Sequence, residues 1–420
     1  MKTHISLLSG AIAASLLIAA MPSAAADFRT NSKPIEGQYI VVLKKQSASL
    51  ASEIGPTLRV SSVAQDMGRT YGAKVTRTYE NALRGFVVNA DDAALARLLA
   101  DPRVEYVEED GIVAMNPAYQ QPASWGLDRV DQRSLPLDTW YTFFFIANGV
   151  HAYVVDTGIR PTHTQFNGWT GAPPSRVSNG FTSIADGNGI NDCHGHGTHV
   201  AGTMAGGFHG IARAATVHPV RVLDCSGFGT WSGVIAGLDW VRTNHIKPAV
   251  ANMSLGGPIN TSVDAAVANL TAAGVTVVVA AGNNASNACN FSPARAPSAI
   301  TVASTDINDA RSSYSNFGTC VDIFAPGRNI VSSWNTSNTA TNTISGTSMA
   351  SPHVAGMAAL ILGRYPTATP TEVTARLLTN STPNKVIGPG TGSPNRLLYV
   401  LPTGGEYGTY TAPIKPPAIR

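Results

Sequence analysis

The spacing of hydrophobic residues changes near residue 116, so the sequence predicts two separately folded parts. Before that point, short apolar runs alternate with two helical patterns in the order βαββαβ between Tyr39 and Val107. The second helical pattern begins with Asp91 and Asp92, and acidic residues suit the first turn of a helix because of the helix dipole. This order is typical of a small α+β domain with a ferredoxin-like split βαβ arrangement.

After Pro117, continuous apolar strands alternate with helices. The predicted strands share an unbroken run of apolar residues and span 149–155, 217–223, 249–253, 275–281, 300–303 and 321–324. The predicted helices span 200–205, 231–245, 263–273 and 349–362, and a last one opens with the capping sequence 369–372. Strands that are apolar on both faces indicate a sheet covered on both sides, so we expect an α/β fold with a doubly wound, mostly parallel sheet.

The two ends of the chain differ from these domains. Residues 1–26 combine Lys2, an apolar run, Pro22 and three alanines, which is the pattern of a cleaved export signal. The alternative, a membrane anchor, is disfavoured because the apolar run is shorter than about 20 residues. Residues 403–420 are rich in glycine and proline and are predicted to form a short tail without a core of its own.

Composition narrows the range of functions. Of the 420 residues, 44% are hydrophobic and 13% are charged, which supports a large core and excludes wholesale disorder. The net charge of +3 is too small to favour binding to nucleic acid or to an anionic membrane. Four cysteines suffice for two disulfides in an exported protein, but they allow three pairings between which the sequence alone does not choose.

An aspartate and a histidine cluster carry the first candidate chemistry. Asp156 ends an apolar strand, where open α/β sheets bind ligands, although a lone aspartate there is as easily a turn cap. His194, His196 and His199 could be metal ligands. Their spacing does not give the pair four residues apart that suits zinc on a helix, so we favour one of them as a general base.

A serine and an asparagine complete the candidate set. Pro352 is tolerated only near the start of a helix, so Ser348 lies at or just before a helix N-terminus, where free N–H groups favour developing negative charge. Asn283 follows an apolar strand and can donate its amide to an oxyanion. Taken singly, Ser348 is an ordinary helix cap and Asn283 an ordinary turn residue.

Together these residues are much more specific than each alone. Serine needs a base as a nucleophile, and the histidine base needs a carboxylate that fixes its tautomer. Residues 346–350 also nearly match the nucleophile elbow of lipases and esterases, but only His353 follows Ser348, which argues against that order of catalytic residues. An inactive binding protein is the second alternative, and the complete catalytic set disfavours it.

The motifs at 156–158, 196–203, 281–283 and 346–350 make the chain resemble the secreted subtilisin-like serine proteases, of the proteinase K and aqualysin branch. The resemblance implies Asp156, His196 and Ser348 as the catalytic triad and Asn283 as the oxyanion donor. It also implies an inhibitory propeptide at 27–116, a protease domain at 117–402 and a self-processing precursor.

The resemblance implies further site residues. The expected substrate-binding residues belong to two parts of a cleft. The walls of the primary specificity pocket are expected at Ser254, Leu255, Gly256, Ala280, Ala281 and Gly282, and the opposite rim at Gly227 and Trp231. The expected disulfides are Cys193–Cys225 and Cys289–Cys320. One structural calcium is expected on Asp322 and the carbonyl groups of Pro297 and Ala299, with no catalytic cofactor.

A second acidic cluster near residue 130 has two interpretations. Asp128, Asp131, Gln132 and Asp138 offer oxygen ligands for another calcium, or form an ordinary solvated loop. The expected partners are protein and peptide substrates and the chain's own propeptide as an intramolecular inhibitor. We expect a secreted monomer that binds neither nucleic acid nor, once the signal is removed, a membrane.

Overall fold

The computed structural model describes residues 25–31, 34–45, 59–111, 118–168 and 174–400. Almost all of the predicted export signal, the predicted boundary near Pro117 and all of the predicted C-terminal tail lie outside these ranges. The chain divides into two compact units, residues 1–114 and 115–420. Each unit is described by itself.

The first unit is a small α+β domain. Its strands are β1 (Asp27–Arg29), β2 (Pro34–Leu43), β3 (Lys74–Tyr79), β4 (Gly85–Asn89) and β5 (Val104–Gly111), and its helices are α1 (Val60–Tyr71) and α2 (Asp92–Ala100). The strand order in the sheet is β1-β5-β2-β4-β3. All neighbours are antiparallel except β1, which runs parallel to β5. The predicted βαββαβ order is confirmed.

Strand β1 is an addition that the sequence did not predict. All three of its residues are exposed, so no alternation of apolar and polar positions marks it. Helices α1 and α2 cover the sheet, and Met67 and Leu98 pack with Phe86 in one core. The Asp91 side chain accepts a hydrogen bond of 2.7 Å from the Ala94 N–H and thereby caps α2.

The second unit contains the remaining elements. Its strands are β6 (Ala118–Gln120), β7 (Tyr141–Phe143), β8 (His151–Asp156), β9 (Phe181–Thr182), β10 (Thr216–Arg221), β11 (Ala249–Met253), β12 (Gly257–Pro258), β13 (Thr276–Ala280), β14 (Phe291–Ser292), β15 (Ile300–Thr305), β16 (Ile323–Pro326), β17 (Ile330–Ser333), β18 (Thr341–Ile344), β19 (Thr382–Pro383) and β20 (Arg396–Leu397). Its helices are α3 (Trp125–Val130), α4 (His196–Ala205), α5 (Trp231–Asn244), α6 (Thr261–Ala272), α7 (Thr347–Arg364) and α8 (Pro370–Asn380).

Its main sheet has nine strands among the described residues, in the order β19-β20-β16-β15-β13-β11-β8-β10-β9. Every neighbouring pair is parallel except β19 and β20. The predicted doubly wound, mostly parallel sheet is therefore confirmed. Since parallel strands end at the same edge, β8, β11 and β13 bring the segments that follow them together.

The apolar strands are explained by helices on both faces of this sheet. Ala152 and Val154 of β8 belong to a core with α4, α7 and α8. Tyr153 and Val155 of the same strand belong to a second core with α5 and α6. Because successive side chains point to opposite faces, burial on both sides requires an unbroken apolar run.

Helix α4 begins four residues before its predicted start at Val200. The prediction was too short because glycine has a low helix propensity, and two glycines flank His196. Gly195 has φ of 112°, and a Cβ there would lie 2.4 Å from the Trp334 ring. A Cβ on Gly197 would lie 2.1 Å from the carbonyl oxygen of Gly158. Tertiary packing therefore requires glycine at both positions and overrides propensity.

The capping sequence before α8 forms as predicted. The Thr369 hydroxyl accepts from the Glu372 N–H at 3.3 Å, and the Glu372 carboxylate accepts from the Thr369 N–H at 2.8 Å. Both implied disulfides are present as well, Cys193–Cys225 and Cys289–Cys320. Within the ranges that the structure describes, no helix combines the length and the apolar character that a bilayer span needs.

Candidate active site

An aspartate–histidine pair lies at the carboxyl edge of the main sheet. Asp156 is the last residue of β8 and is fully buried. Its Oδ1 lies 2.7 Å from Nδ1 of His196, the first residue of α4, and also accepts from the Thr157 N–H at 2.8 Å. Because Asp156 accepts at Nδ1, the proton of neutral His196 sits on that nitrogen, which leaves Nε2 able to accept another.

The pKa of His196 is raised. Burial acts to lower it, but the negative charge of Asp156, the hydrogen bond to Asp156 and a smaller contribution from Asp192 together outweigh burial. The neighbouring His199 behaves differently, since burial lowers its pKa to about 3 and its Nε2 contacts the Ile330 carbonyl oxygen at 3.0 Å. His199 is thus a neutral structural residue, and the three histidines do not act as one cluster.

Ser348 is the second residue of α7. Pro352, four residues later, has no N–H, so it cannot form the usual helical hydrogen bond to the Ser348 carbonyl oxygen. The Ser254 hydroxyl donates to that oxygen instead, at 2.8 Å, and itself accepts from Asn252 Nδ2 at 2.9 Å. The Ser348 hydroxyl donates to the Ser254 carbonyl oxygen at 3.2 Å and not to His196.

Asn283 follows β13 and is held by the residue before Ser348. Its Oδ1 accepts from both the N–H and the hydroxyl of Thr347, each at 2.9 Å. The Thr347 hydroxyl in turn accepts from the Gly282 N–H at 3.1 Å. These contacts orient Asn283 so that Nδ2, the donor, points away from Thr347.

Two N–H donors converge beside Gly346. A Cβ built on Gly346 would lie 3.5 Å from Asn283 Nδ2 and 3.5 Å from the Ser348 backbone nitrogen. Glycine therefore leaves space between the two donors. Such a pair at a helix N-terminus is suited to binding a negatively charged oxygen.

Two adjoining cavities flank Ser348. The larger cavity has a volume of about 560 Å³. Its lining includes His194, His196, Gly227, Phe228, Trp231, Ser254 and Ser348. The smaller, of about 430 Å³, is lined by Leu255, Gly256, Ala280, Ala281, Gly282, Asn283 and Thr347 among others. Both cavities reach Leu255, Gly256 and Ser348.

The predicted substrate-binding residues thus divide between the two cavities. Ala280, Ala281 and Gly282 line the smaller cavity, whereas Gly227 and Trp231 line the larger one. Ser254, expected with the wall of the specificity pocket, lines only the larger cavity, and its side chain holds the Ser348 backbone. Among the described residues, no charged side chain lines the smaller cavity.

The Cys193–Cys225 disulfide supports the rim of the larger cavity. Cys193 precedes His196 by three residues, and Cys225 precedes Gly227 by two. The bond therefore joins the entry to α4 with the opposite rim. Phe228 on that rim is 74% exposed, which makes it the most exposed large hydrophobic residue in the described part of the chain.

The residues expected to bind calcium lie around the start of strand β15 in the second unit. Asp322 accepts from the Thr301 N–H at 2.8 Å, and Pro297 and Ala299 lie in the segment that enters β15 just before Thr301. Burial raises the pKa of Asp322, and the Thr301 N–H and Arg396 only partly offset it. A buried carboxylate of this kind fits a hard cation, which would stabilise its charge.

The acidic cluster near residue 130 is solvated only in part, since Asp138 is exposed and Gln132 is half-buried. Asp128 and Asp131 are buried. The Asp128 carboxylate accepts from the N–H groups of Asp138 and Thr139, and the Asp131 carboxylate accepts from the Thr142 N–H. These carboxylates organise the turn between α3 and β7.

Several residues near the site escaped sequence reasoning. Thr157 follows Asp156 and donates its N–H to it. Thr347 precedes Ser348 and donates its N–H to Asn283. Asn252 supports Ser254, and Ser351 donates to Asn252 Oδ1 at 2.7 Å. Position next to a motif hints at the threonines, but Ser351 lies 99 positions from Asn252 and no local pattern identifies that contact.

Known proteases are similar to this chain over most of its length. The family model described as "Subtilase family" matches residues 147–397, and the one described as "Peptidase inhibitor I9" matches residues 38–116. The chain is 53% identical over 380 residues to the "Extracellular serine proteinase" of Thermus sp. (strain Rt41A), covering 87% of this chain and 90% of the relative. It is 44% identical over 372 residues to the "Alkaline serine exoprotease A" of Vibrio alginolyticus, covering 87% and 68%.

A solved structure is similar as well. It is the "Crystal structure of a cold adapted subtilisin-like serine proteinase", which is 49% identical and has a TM-score of 0.63. The match covers 67% of this chain and 99% of the other. With an I9 domain in its first unit and a subtilisin-like α/β domain in its second, the chain belongs to the subtilase family of serine proteases.

Proposed function

We propose that this subtilase is a secreted endopeptidase that hydrolyses peptide bonds in proteins through Asp156, His196, Ser348 and Asn283. The observation that carries the proposal is the 2.7 Å contact between Asp156 Oδ1 and His196 Nδ1, with His196 and Ser348 lining one cavity. An esterase acting on lipids is the rival reaction for the same nucleophile.

In the proposed first step, the Ser348 hydroxyl turns from the Ser254 carbonyl oxygen toward His196. Its oxygen attacks the peptide carbonyl carbon while His196 Nε2 takes its proton, and the charge of Asp156 stabilises the imidazolium that forms. His196 then gives the proton to the leaving amine, and an acyl ester remains on Ser348. Water, activated by His196, hydrolyses the ester in the second step.

The oxyanion of each tetrahedral intermediate would lie between Asn283 Nδ2 and the Ser348 N–H. Both donors converge on the space beside Gly346. They are fixed before substrate binds, because Thr347 holds Asn283 and α7 holds Ser348. Fixed donors need no reorganisation when negative charge develops, which is the main source of their catalytic effect.

For the precursor, we propose an export signal at 1–26, an inhibitory propeptide at 27–116, a protease domain at 117–402 and a tail at 403–420. The I9 match at 38–116 supports the inhibitor, and the name of the Thermus relative supports secretion. The chain would cut itself near Pro117. The mature enzyme would be a monomer that binds neither nucleic acid nor a membrane.

The smaller cavity is the proposed pocket for the side chain next to the cleaved bond. It lies beside Ser348 and Asn283, and its lining in the described part of the chain carries no charge, which favours apolar or broad preference. Glycine at 256 and 282 lets an extended peptide approach the backbone closely. A peptide-library profile dominated by lysine or arginine at that position would contradict this.

Calcium is the proposed structural ion, held by Asp322 with the carbonyl groups of Pro297 and Ala299. It would neutralise the buried Asp322 carboxylate and tie the entry of β15 to the segment before β16. No step of the reaction involves it.

The test compares residues 27–420 with the Ser348→Ala variant on a gel and in casein and lipid-ester assays. We expect the parent to mature to a smaller form that cleaves casein, and the variant to stay at full length and inactive. A parent that cleaves lipid esters but not casein favours the esterase. A parent that neither matures nor acts contradicts the proposal.

A further inference from the structure

We propose that Asp192, a buried carboxylate outside the triad, is a positioning residue that holds Asp156 and His196 in one rigid frame. The inference rests on the proposed function, because it concerns the same histidine. Asp192 is 8% exposed and touches neither Asp156 nor His196 through its side chain. It acts through the residues that follow Asp156 and surround His196.

The Asp192 carboxylate accepts five hydrogen bonds from described residues. Its Oδ1 accepts from the Thr157 hydroxyl at 2.9 Å, the His194 N–H at 2.9 Å and the Gly195 N–H at 2.8 Å. Its Oδ2 accepts from the N–H and the hydroxyl of Thr198 at 2.9 and 2.6 Å. A buried charge is stable only with such compensation, so the ionised carboxylate fits this environment.

The carboxylate replaces the missing cap of α4. Gly195 stands at the N-cap position and has no side chain to bind the free N–H groups of the first turn. Asp192 binds the N–H groups of Gly195 and Thr198 from outside the helix. Its negative charge also faces the positive end of the helix dipole. His196, the first residue of α4, is therefore fixed by Asp192.

The same carboxylate fixes the end of β8. The Thr157 hydroxyl donates to Asp192 and accepts from the Gly197 N–H at 2.9 Å, while the Thr157 N–H donates to Asp156 Oδ1 at 2.8 Å. Thr157 thus joins the residues on either side of the Asp156–His196 contact. Loss of the Asp192 carboxylate would remove the acceptor of the Thr157 hydroxyl and the acceptor of the Gly195 and Thr198 N–H groups at the start of α4.

Asp192 also acts on the charge of His196. Among the described residues, the charged groups that face His196 are Asp156 and Asp192. The centroid of the His194 ring lies 6.3 Å from that of His196, and His199, one turn later on α4, is neutral. Removing one of two anions lowers the pKa of His196. Since catalysis needs the neutral imidazole, activity would then persist to lower pH.

The test compares the matured parent with Asp192→Asn, which keeps the size of the side chain and removes its charge. We expect kcat/KM at pH 8 to fall by about 10²-fold, because a small misplacement of reacting groups has an effect of that size. We also expect the acid limb of kcat/KM to move to lower pH. Rates are referred to active sites titrated with a fluorophosphonate, so that unfolded protein does not count.

Thr369→Ala is the matched control, because it removes the capping box of α8. We expect it to lower the melting temperature and leave the acid limb unchanged. A folded Asp192→Asn enzyme with parental kcat/KM and acid limb overturns the proposal, whatever its melting temperature. An inactive parent would instead contradict the proposed function.

If Asp192→Asn does not mature, the Ser348→Ala variant and the double variant that carries both Asp192→Asn and Ser348→Ala are compared by NMR. The proposal expects the Nδ1–H resonance of His196 to weaken or shift and its titration to move to lower pH. An unchanged resonance and titration overturn it.

Discussion

The two halves of the candidate site are held by different kinds of contacts. The histidine half, which comprises Asp156, Thr157, Asp192 and His196, depends on two buried carboxylates. The serine half, which comprises Ser254, Asn283, Thr347 and Ser348, contains only neutral hydrogen bonds. The aspartate–histidine contact is already formed at 2.7 Å, whereas the Ser348 hydroxyl still donates to Ser254.

The difference follows from the energetics of burial. Donors stabilise an ionised carboxylate away from water, and Asp156 Oδ1 and both oxygens of Asp192 already have donors, so the histidine half is ordered without substrate. A hydroxyl can exchange one acceptor for another by rotating about a single bond. The candidate site is therefore assembled except for one rotation of Ser348, which we propose that substrate binding completes.

Asp156→Asn gives the largest effect on the histidine half. We expect kcat to fall by about 10⁴-fold, the size of loss known for this aspartate in serine proteases, because the imidazolium loses its counter-charge. The raised pKa of His196 should also fall, since the charge of Asp156 raises it. Neutral His196 would then survive to lower pH, and the acid limb of kcat/KM, measured from pH 5 to 9, should move down. A fall of less than tenfold would break the distinction between the halves.

Asn283→Ala tests the serine half alone. We expect kcat to fall by about 10²- to 10³-fold, the loss known for the equivalent donor in a subtilisin. KM and the acid limb should stay unchanged, because the donor acts on the transition state and not on His196. Asn244→Ala, at the C-terminal end of α5, is the matched control and should retain parental kcat. A shift of the acid limb in Asn283→Ala would show that the halves are coupled.

Removal of calcium should affect neither half. We expect excess chelator to lower the melting temperature by about 5 °C. The reason is that an ion whose free concentration is about 100 times its Kd stabilises the fold by about 2.7 kcal/mol. The initial rate at 25 °C should not change. Asp322→Asn should have the lower melting temperature and no further response to chelator. A parent that melts at the same temperature with and without chelator contradicts the proposed ion.

The residues of the candidate site that depend on local sequence are predictable. Asp156 ends an unbroken apolar strand, Asn283 follows another, and Pro352 places Ser348 at a helix start. The sheet was predictable for the same reason, since burial on both faces leaves an apolar run in the sequence. These features depend on neighbours along the chain.

Residues that act across the fold were not predictable. Thr157 and Asp192 are 35 positions apart, and Ser254 and Ser348 are 94 apart. Nothing near Asp192 in the sequence marks it as a cap, because the helix it serves begins with glycine at the cap position. The resemblance implied a pocket role for Ser254, whereas its hydrogen bond to Ser348 depends on the missing N–H of Pro352.

We infer that the histidine half activates Ser348, whose hydroxyl donates to the Ser254 carbonyl oxygen in this structure. The decisive experiment is labelling with a fluorophosphonate, followed by mass spectrometry of the digested protein. We expect one adduct, on Ser348, which forms faster as pH rises through the pKa of His196, and we expect His196→Ala to slow the labelling strongly. An adduct on another residue, or an unchanged rate in His196→Ala, would show that the histidine half does not activate Ser348.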